Sequence, residues 1–249
     1  MDFSSILSHS FQFYKEKIKE ILLFGFIFFL NWYLISVYIS PVFSSFSLFN
    51  KNPSIIFGYF FTFLWILLTS SLFELLILNL VKLPNSSLKE IFLESFGKVF
   101  SYFFFKILIG LIIFLGLLAL IVPAIILAIY LFFAIYAFVD EDLTIGQSLK
   151  ESWRLVKGKW WTIFGTLLLL SLFVFLISLV LGLIIYFIDK SCCNVKIFGN
   201  SQLKFSSLIS ILFNFVFLTP FNLIFCYHFY FFIKKQKDQK EEVELELTQ

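Results

Sequence analysis

ILIGLIIFLGLLALIVPAIILAIYLFFAIYAFV, residues Ile107 to Val139, runs 33 residues without a charge and carries Pro123 at its middle. As one helix it would reach about 50 Å, whereas a bilayer's hydrocarbon core is about 30 Å thick and takes roughly 20 residues to cross. It is too long for a single crossing. Basic residues flank it on both sides, Lys98 and Lys106 before it and Lys150, Arg154, Lys157 and Lys159 after it. The excess of Lys and Arg in cytoplasmic loops therefore puts both ends on one face of the membrane. The stretch reads as two crossings with a turn near Leu118 to Pro123.

The composition agrees. Of 249 residues, 60% are hydrophobic and 14% charged, against roughly 45–50% and about 25% in a soluble domain, so lipid is the expected solvent. A net charge of +3 argues for anionic lipid headgroups over nucleic acid as a partner. The 39 phenylalanines and single methionine carry no chemical signal. Cys192 and Cys193 are adjacent, with Cα atoms about 3.8 Å apart, too close for ordinary disulfide geometry. Either could still pair with another chain, whereas Cys226 lies within an apolar span.

Apolar runs mark six crossings: Ile21 to Ile39, Ile55 to Val81, Tyr102 to Leu118, Pro123 to Val139, Thr162 to Ile188 and Phe205 to Ile233. Three lysines precede the first span (Lys15, Lys17, Lys19), and four surround the second-to-third connection (Lys82, Lys89, Lys98, Lys106). Four cations separate the fourth and fifth spans, four lysines follow the sixth (Lys234, Lys235, Lys237, Lys240), and only four (Lys51, Lys190, Lys196, Lys204) fall on the other side. Both termini are expected in the cytoplasm. A cleaved signal peptide is the competing account of the N-terminus, but the apolar run exceeds an h-region of roughly 7–15 residues and no small-residue cleavage pattern follows it. Trp160 and Trp161, at a helix entry, suit an interfacial anchor.

The segments before the odd-numbered spans align when Ser10, Ser95 and Ser152 are superposed. Phe3, Leu88 and Ile145 then match, as do Leu7, Phe92 and Leu149; Phe11, Phe96 and Trp153; Tyr14, Val99 and Val156; and Ile18, Phe103 and Trp160. These offsets trace one face of a helix, with charged residues mostly in other directions. The expected fold is all-α: an integral membrane bundle of six transmembrane helices, built as three repeats of an amphipathic interfacial helix and a transmembrane hairpin (2–81, 86–139, 142–233). Residues 1–233 form one membrane domain on this reading, and 234–249 a charged, disordered cytoplasmic tail. Each amphipathic helix would turn its aromatic face to the acyl boundary and hold headgroups with Lys15, Lys17, Lys150, Arg154, Lys157 and Lys159, at roughly 1 kcal/mol per cation. Packing on the bundle is the plainer role for the same helices.

From the end of the second unit into the third, Ile121-Val122-Pro123-Ala124-Ile125-Ile126-Leu127, Val139-Asp140-Glu141 and the run from Gln147-Ser148-Leu149-Lys150-Glu151-Ser152-Trp153-Arg154 to Trp160 carry a resemblance. This part of the chain resembles bacterial multi-pass proteins typified by the membrane domain attached to some glycerophosphoryl diester phosphodiesterases, and their YciC-like relatives. The resemblance implies a six-helix domain of the bacterial inner membrane. It does not bring an activity, because the phosphodiesterase chemistry belongs to a separate barrel for which this chain has no room.

Asp142 or Thr144 can cap a helix starting near Ile145, with Gly158 closing it. The acidic trio Asp140, Glu141 and Asp142 lacks the spaced oxygen ligands and turn glycine of a hard-cation loop, so no metal is expected. Glu74 is the only acidic residue within a span, and it lies eight residues before Lys82, as Lys106 lies eight after Lys98. Both sit about 12 Å beyond their basic flanks, a common depth that predicts an ion pair fixing two antiparallel helices. Snorkelling of both side chains and a proton or solute relay are the alternatives. Asn214, Thr219, Pro220, Asn222 and His228 make the sixth span polar and broken, as in cavity-lining helices of transporters, although asparagines also bond neighbouring helices. With only His9 and His228 and no phosphate loop, paired-histidine motif or Gly-x-Ser-x-Gly elbow, no catalytic residue and no cofactor is expected. The chain reads as a non-catalytic membrane protein supporting membrane organisation, lipid handling or a membrane complex, with a protein partner or homo-oligomer left open. The alternative is a small-solute or ion transporter or channel component using the polar residues of spans two and six.

Overall fold

The computed structural model describes residues 3–44, 53–191 and 205–247, all of them in helices or their short connections. Cys192, Cys193, Lys51, Lys196 and Lys204 lie outside the described residues. In chain order the helices are α1 (Phe3–Glu16), α2 (Ile18–Ser44), α3 (Pro53–Lys82), α4 (Leu88–Ala119), α5 (Ile121–Leu131), α6 (Ala134–Asp140), α7 (Ile145–Val156), α8 (Trp160–Ser191), α9 (Phe205–Phe213) and α10 (Thr219–Leu247). A π-helical turn, Asn214–Leu218, joins α9 to α10. Six segments are long and apolar enough to cross a membrane: Ile18–Ile35, Phe60–Lys82, Leu88–Leu118, Ile121–Asp140, Trp160–Ile185 and Leu208–Val243.

The uncharged stretch turns where its length required. α4 ends at Ala119, Leu120 is fully extended at φ −176° and ψ 161°, and α5 begins at once. Pro123 falls in the first turn of α5, where a missing N–H costs nothing. The hairpin is tight because small residues face each other: a Cβ on Gly116 would lie 3.2 Å from Ala124 Cα.

Two features depart from the repeat read in the sequence. The second amphipathic segment is not a separate interfacial helix, because α4 runs unbroken from Leu88 into its span, started by a capping box in which Ser87 and Glu90 bond each other's backbone N–H. The expected apolar faces are also divided. At the three aligned serines the buried stripe is Ile6, Ser10 and Tyr14 on α1, Ile91, Ser95 and Val99 on α4, and Ser148, Ser152 and Val156 on α7. The next aligned position points outward each time, with Phe11 52%, Phe96 58% and Trp153 47% exposed. The segments pack on the bundle by one edge and present an aromatic by the other.

The tail is a correction. In place of the disorder expected after Lys234, α10 continues to Leu247. Arg154 of α7 explains why: its guanidinium reaches Asp238 at 2.8 Å and Glu241 at 2.7 Å, and Lys159 donates to Gln236 at 2.8 Å. The segment is mostly polar and its Val243 is exposed, so the cross-links from α7 and Lys159 hold it. The fifth span is the opposite case. Along Trp160–Ile185 only Ile163 and Leu170 are buried, so α8 packs on the bundle by a narrow stripe and leaves many of its apolar residues facing outward.

Candidate functional site

Three polar centres stand out. The first lies at the basic end of the bundle, where the connection between α6 and α7 carries Asp140, Glu141 and Asp142. Asp142 adopts φ 53°, a left-handed conformation that Asp tolerates better than most residues. Its carboxylate meets Lys82 of α3 at 3.1 Å and pairs with Lys98 of α4, while Lys82 also donates to Val139 O at 2.8 Å and Lys98 reaches Glu94 at 3.0 Å. Partial burial works to raise the Asp142 carboxyl, but bonds from Lys98 and Lys82 outweigh it and hold it below its ordinary value. Asp140 accepts from Tyr227 at 2.5 Å, and Glu141 accepts from Tyr230 at 2.6 Å and pairs with Lys234 at 2.9 Å. One short loop thus ties α3, α4 and α10 together. The cap of α7 is Thr144 rather than Asp142, with Gln147 Oε1 accepting from the Thr144 N–H at 3.0 Å, and Gly158 at φ 86° follows the helix's other end.

The second centre is inside the spans. Lys106 Nζ lies 2.7 Å from Glu74 Oε1, and Tyr102 donates its hydroxyl to Glu74 Oε2 at 2.9 Å. Tyr102 is a member of this centre that the sequence reading misses. It sits one helical turn before Lys106, and that spacing is the available signal. Asn214 and Asn222 are not brought to this pair. Among the described residues no hydrogen bond or ion pair links either to Glu74 or Lys106; Asn214 Oδ1 accepts from Thr219 at 2.9 Å, and Asn222 Oδ1 from the Cys226 thiol at 3.5 Å.

The third centre joins α1 to α10. His228 Nδ1 is 3.0 Å from Ser10 Oγ, and its ring packs edge-on against His9 with centroids 4.9 Å apart. Ser10 already donates to Ile6 O at 2.8 Å, so its oxygen is left to accept from the imidazole. Tyr14 donates to Val216 O of the π turn at 2.5 Å, and burial pushes its phenol up to about 12. Gly25 makes room for that turn, since a Cβ there would lie 3.0 Å from Phe215 O.

The six lysine and arginine candidates for headgroups divide in two. Arg154 is taken by Glu151, Asp238 and Glu241, Lys17 donates to Pro84 O at 2.5 Å, and Lys159 is held by Gln236. Arg154 and Lys17 are thus engaged within the protein by neighbouring helices, whereas Lys159 meets only the neutral Gln236 and keeps its charge unpaired among the described residues. Lys15, Lys150 and Lys157 are exposed, and among the described residues none has an ion-pair partner. Lys15 instead sits 4.7 Å above the ring of the exposed Phe11. Lys150 and Lys157 lie three residues before and four after the exposed Trp153, whose ring stacks on Tyr130.

A bundle with six membrane-length helices, and polar groups paired where they enter the spans, defines a multi-pass helical membrane protein. The chain belongs to the family described as a domain of unknown function (DUF7847), which matches residues 91–231, more than half its length. That match takes in the acidic loop, Lys98, Lys106, the π turn and the start of α10 with Asn222 and His228, and leaves out α1 to α3 with Glu74 and Lys82 and α10 beyond residue 231. No curated protein and no solved structure matches the chain.

Proposed function

We propose that this is a non-catalytic protein of the bacterial inner membrane, both termini in the cytoplasm, that organises or handles anionic lipid at the inner leaflet. The observation that carries the reading is the pairing of free cations with exposed aromatics: Lys15 with Phe11 on α1, and Lys150 and Lys157 with Trp153 on α7. Aromatic rings favour the headgroup level, and unpaired cations there draw anionic lipid. The bias of basic residues supports the orientation, and the compartment is proposed from the sequence resemblance of residues 121–160 alone.

The test is the lipid annulus of the full chain in nanodiscs of mixed phosphatidylglycerol and phosphatidylcholine, read by quenching of tryptophan fluorescence with brominated lipid. The native protein should enrich phosphatidylglycerol, and Lys15→Gln/Lys150→Gln/Lys157→Gln should lose that enrichment. Equal annuli for the two would overturn the reading. Solute flux from proteoliposomes that disappears with Glu74→Gln or Asn214→Ala would establish the transport alternative instead.

A further inference from the structure

A cleft of about 470 Å³ lies between α8, α10 and the α5–α6 region, within the roughly 300–1,000 Å³ usual for ligand sites. Leu167, Leu170, Val174 and Leu223 give it an apolar wall, with Tyr136 and Asn222 as polar points. It sits beside the span with least of its surface buried in the bundle, and Phe175 and Asn222 on its margin are exposed. It therefore opens where an acyl chain can enter sideways.

The basic end of the same seam holds cations that the protein does not neutralise. Burial holds the Lys159 ammonium below its ordinary value, and repulsion from Lys240 and Lys237 adds to this. Its hydrogen-bond partner, Gln236, is neutral, and the nearby acids Asp238 and Glu241 are turned to Arg154. Among the described residues none of these three lysines is in an ion pair.

Helix geometry lines the two features up. Lys159 accepts the N–H of Ile163, so it leads directly into α8 and the stripe Ile163, Leu167, Leu170 and Val174. On α10, Cys226 and Lys237 are separated by about three turns, and Asn222 and Lys240 by about five, which puts the lysines below the cleft-lining residues on one face. From Lys159 to Val174 is about 22 Å of helix, and half a bilayer with its headgroups is about 20–22 Å.

We propose that the α8–α10 seam holds one anionic phospholipid of the inner leaflet, its phosphate on Lys159, Lys237 and Lys240 and one acyl chain in the cleft. This rests on the inner-leaflet orientation proposed above but uses none of the lysines on which that reading was tested. A lipid satisfies both halves of the seam, whereas a soluble anion would leave the apolar half empty.

Native mass spectrometry of the full chain released from phosphatidylglycerol and phosphatidylcholine nanodiscs tests it. The native protein should retain one phosphatidylglycerol in preference to phosphatidylcholine. Lys159→Gln/Lys237→Gln/Lys240→Gln should weaken that retention on the order of a hundredfold, from roughly 1 kcal/mol per cation. The triple arginine variant should keep the lipid, and Ser171→Trp, at a residue of α8 that lines the cleft, fills it with the lysines intact and should lose the lipid. Thermal melts of each variant show that the fold is intact. Retention unchanged by the glutamine variant or by Ser171→Trp would overturn the site, as would displacement by millimolar inorganic phosphate. The single lipid should survive Lys15→Gln/Lys150→Gln/Lys157→Gln, so loss of annular enrichment alone speaks to the general headgroup reading, and loss of the retained lipid alone to this site.

Discussion

Replacing Glu74 by Gln removes one charge from the spans and little else. Gln keeps the volume and an oxygen to accept the Tyr102 hydroxyl, so the change isolates the 2.7 Å ion pair to Lys106. Lys106 is then a lone ammonium whose side chain is 28% exposed, within a helix long and apolar enough to cross a membrane. An unpaired Lys at the centre of a membrane helix costs about 2.5–3.5 kcal/mol on insertion scales. Lys106 lies about 12 Å along α4 from Lys98, near enough to the basic end for its stem to recover part of that by snorkelling. The net cost should be about 2 kcal/mol. Adding Lys106→Met to Glu74→Gln removes the stranded charge and should bring stability back to within about 1 kcal/mol of native, because apolar replacement of a buried pair is often close to neutral. The assay is reversible unfolding in mixed micelles, run as a double-mutant cycle with both single variants. A Glu74→Gln cost under about 0.5 kcal/mol, or a double variant equal to the sum of the two singles, would show that no coupled pair holds α3 to α4.

Gly25→Leu should destabilise the fold by about 1–3 kcal/mol in the same assay, because its first side-chain carbon already meets Phe215 O at 3.0 Å and Val216 Cα at 3.1 Å, both backbone atoms that cannot swing aside. Arg154→Ala should release the end of α10, seen as lost amide-exchange protection over residues 236–247. The global cost should be only about 1 kcal/mol, since these carboxylates are partly exposed and screened. Asp142, held below its ordinary value of 3.8, contributes stability that is full above that value and lost as pH falls through the lower folded value. Unfolding midpoints should therefore drop on acidification below about pH 4, and Asp142→Asn should lower the midpoint at neutral pH and remove that part of the acid sensitivity.

The spans are legible because a membrane helix needs only length and an absence of charge, both local properties of sequence. The partnership of Glu74 and Lys106 is also accessible, since distance from a basic flank measures depth. The acidic loop is harder. Its residues read as a helix cap, whereas their partners Lys82, Lys98, Tyr227, Tyr230 and Lys234 come from three helices distant in sequence. Only the spacing of Tyr227, Tyr230 and Lys234 along one side of α10 hints at a polar edge there. The helical tail escapes a sequence reading because nothing within residues 234–249 differs from a solvated end. What orders it is Arg154, whose place beside a lipid surface looks equally natural in sequence. The π turn leaves no local mark either, because it depends on the close approach of Gly25 and on a hydroxyl from α1.

The distribution of paired and unpaired cations decides which parts of the protein can be altered without unfolding it. Lys82, Lys98, Lys106, Arg154 and Lys234 each face at least one carboxylate, so removing any of them strands an anion and loosens a helix contact. Lys15, Lys150, Lys157, Lys237 and Lys240 face no carboxylate among the described residues, so neutralising them leaves the bundle's own contacts in place. A protein that needed lysines only to set its orientation could have balanced them with nearby acids, because acidic residues contribute little to that rule. This chain does balance the lysines that hold helices together, and the lysines without an ion pair among the described residues include those beside exposed aromatics and beneath the cleft. Unpaired cations of this kind are what the proposed binding of anionic lipid requires, and neutralising them should change lipid retention while leaving the bundle's own ion pairs in place.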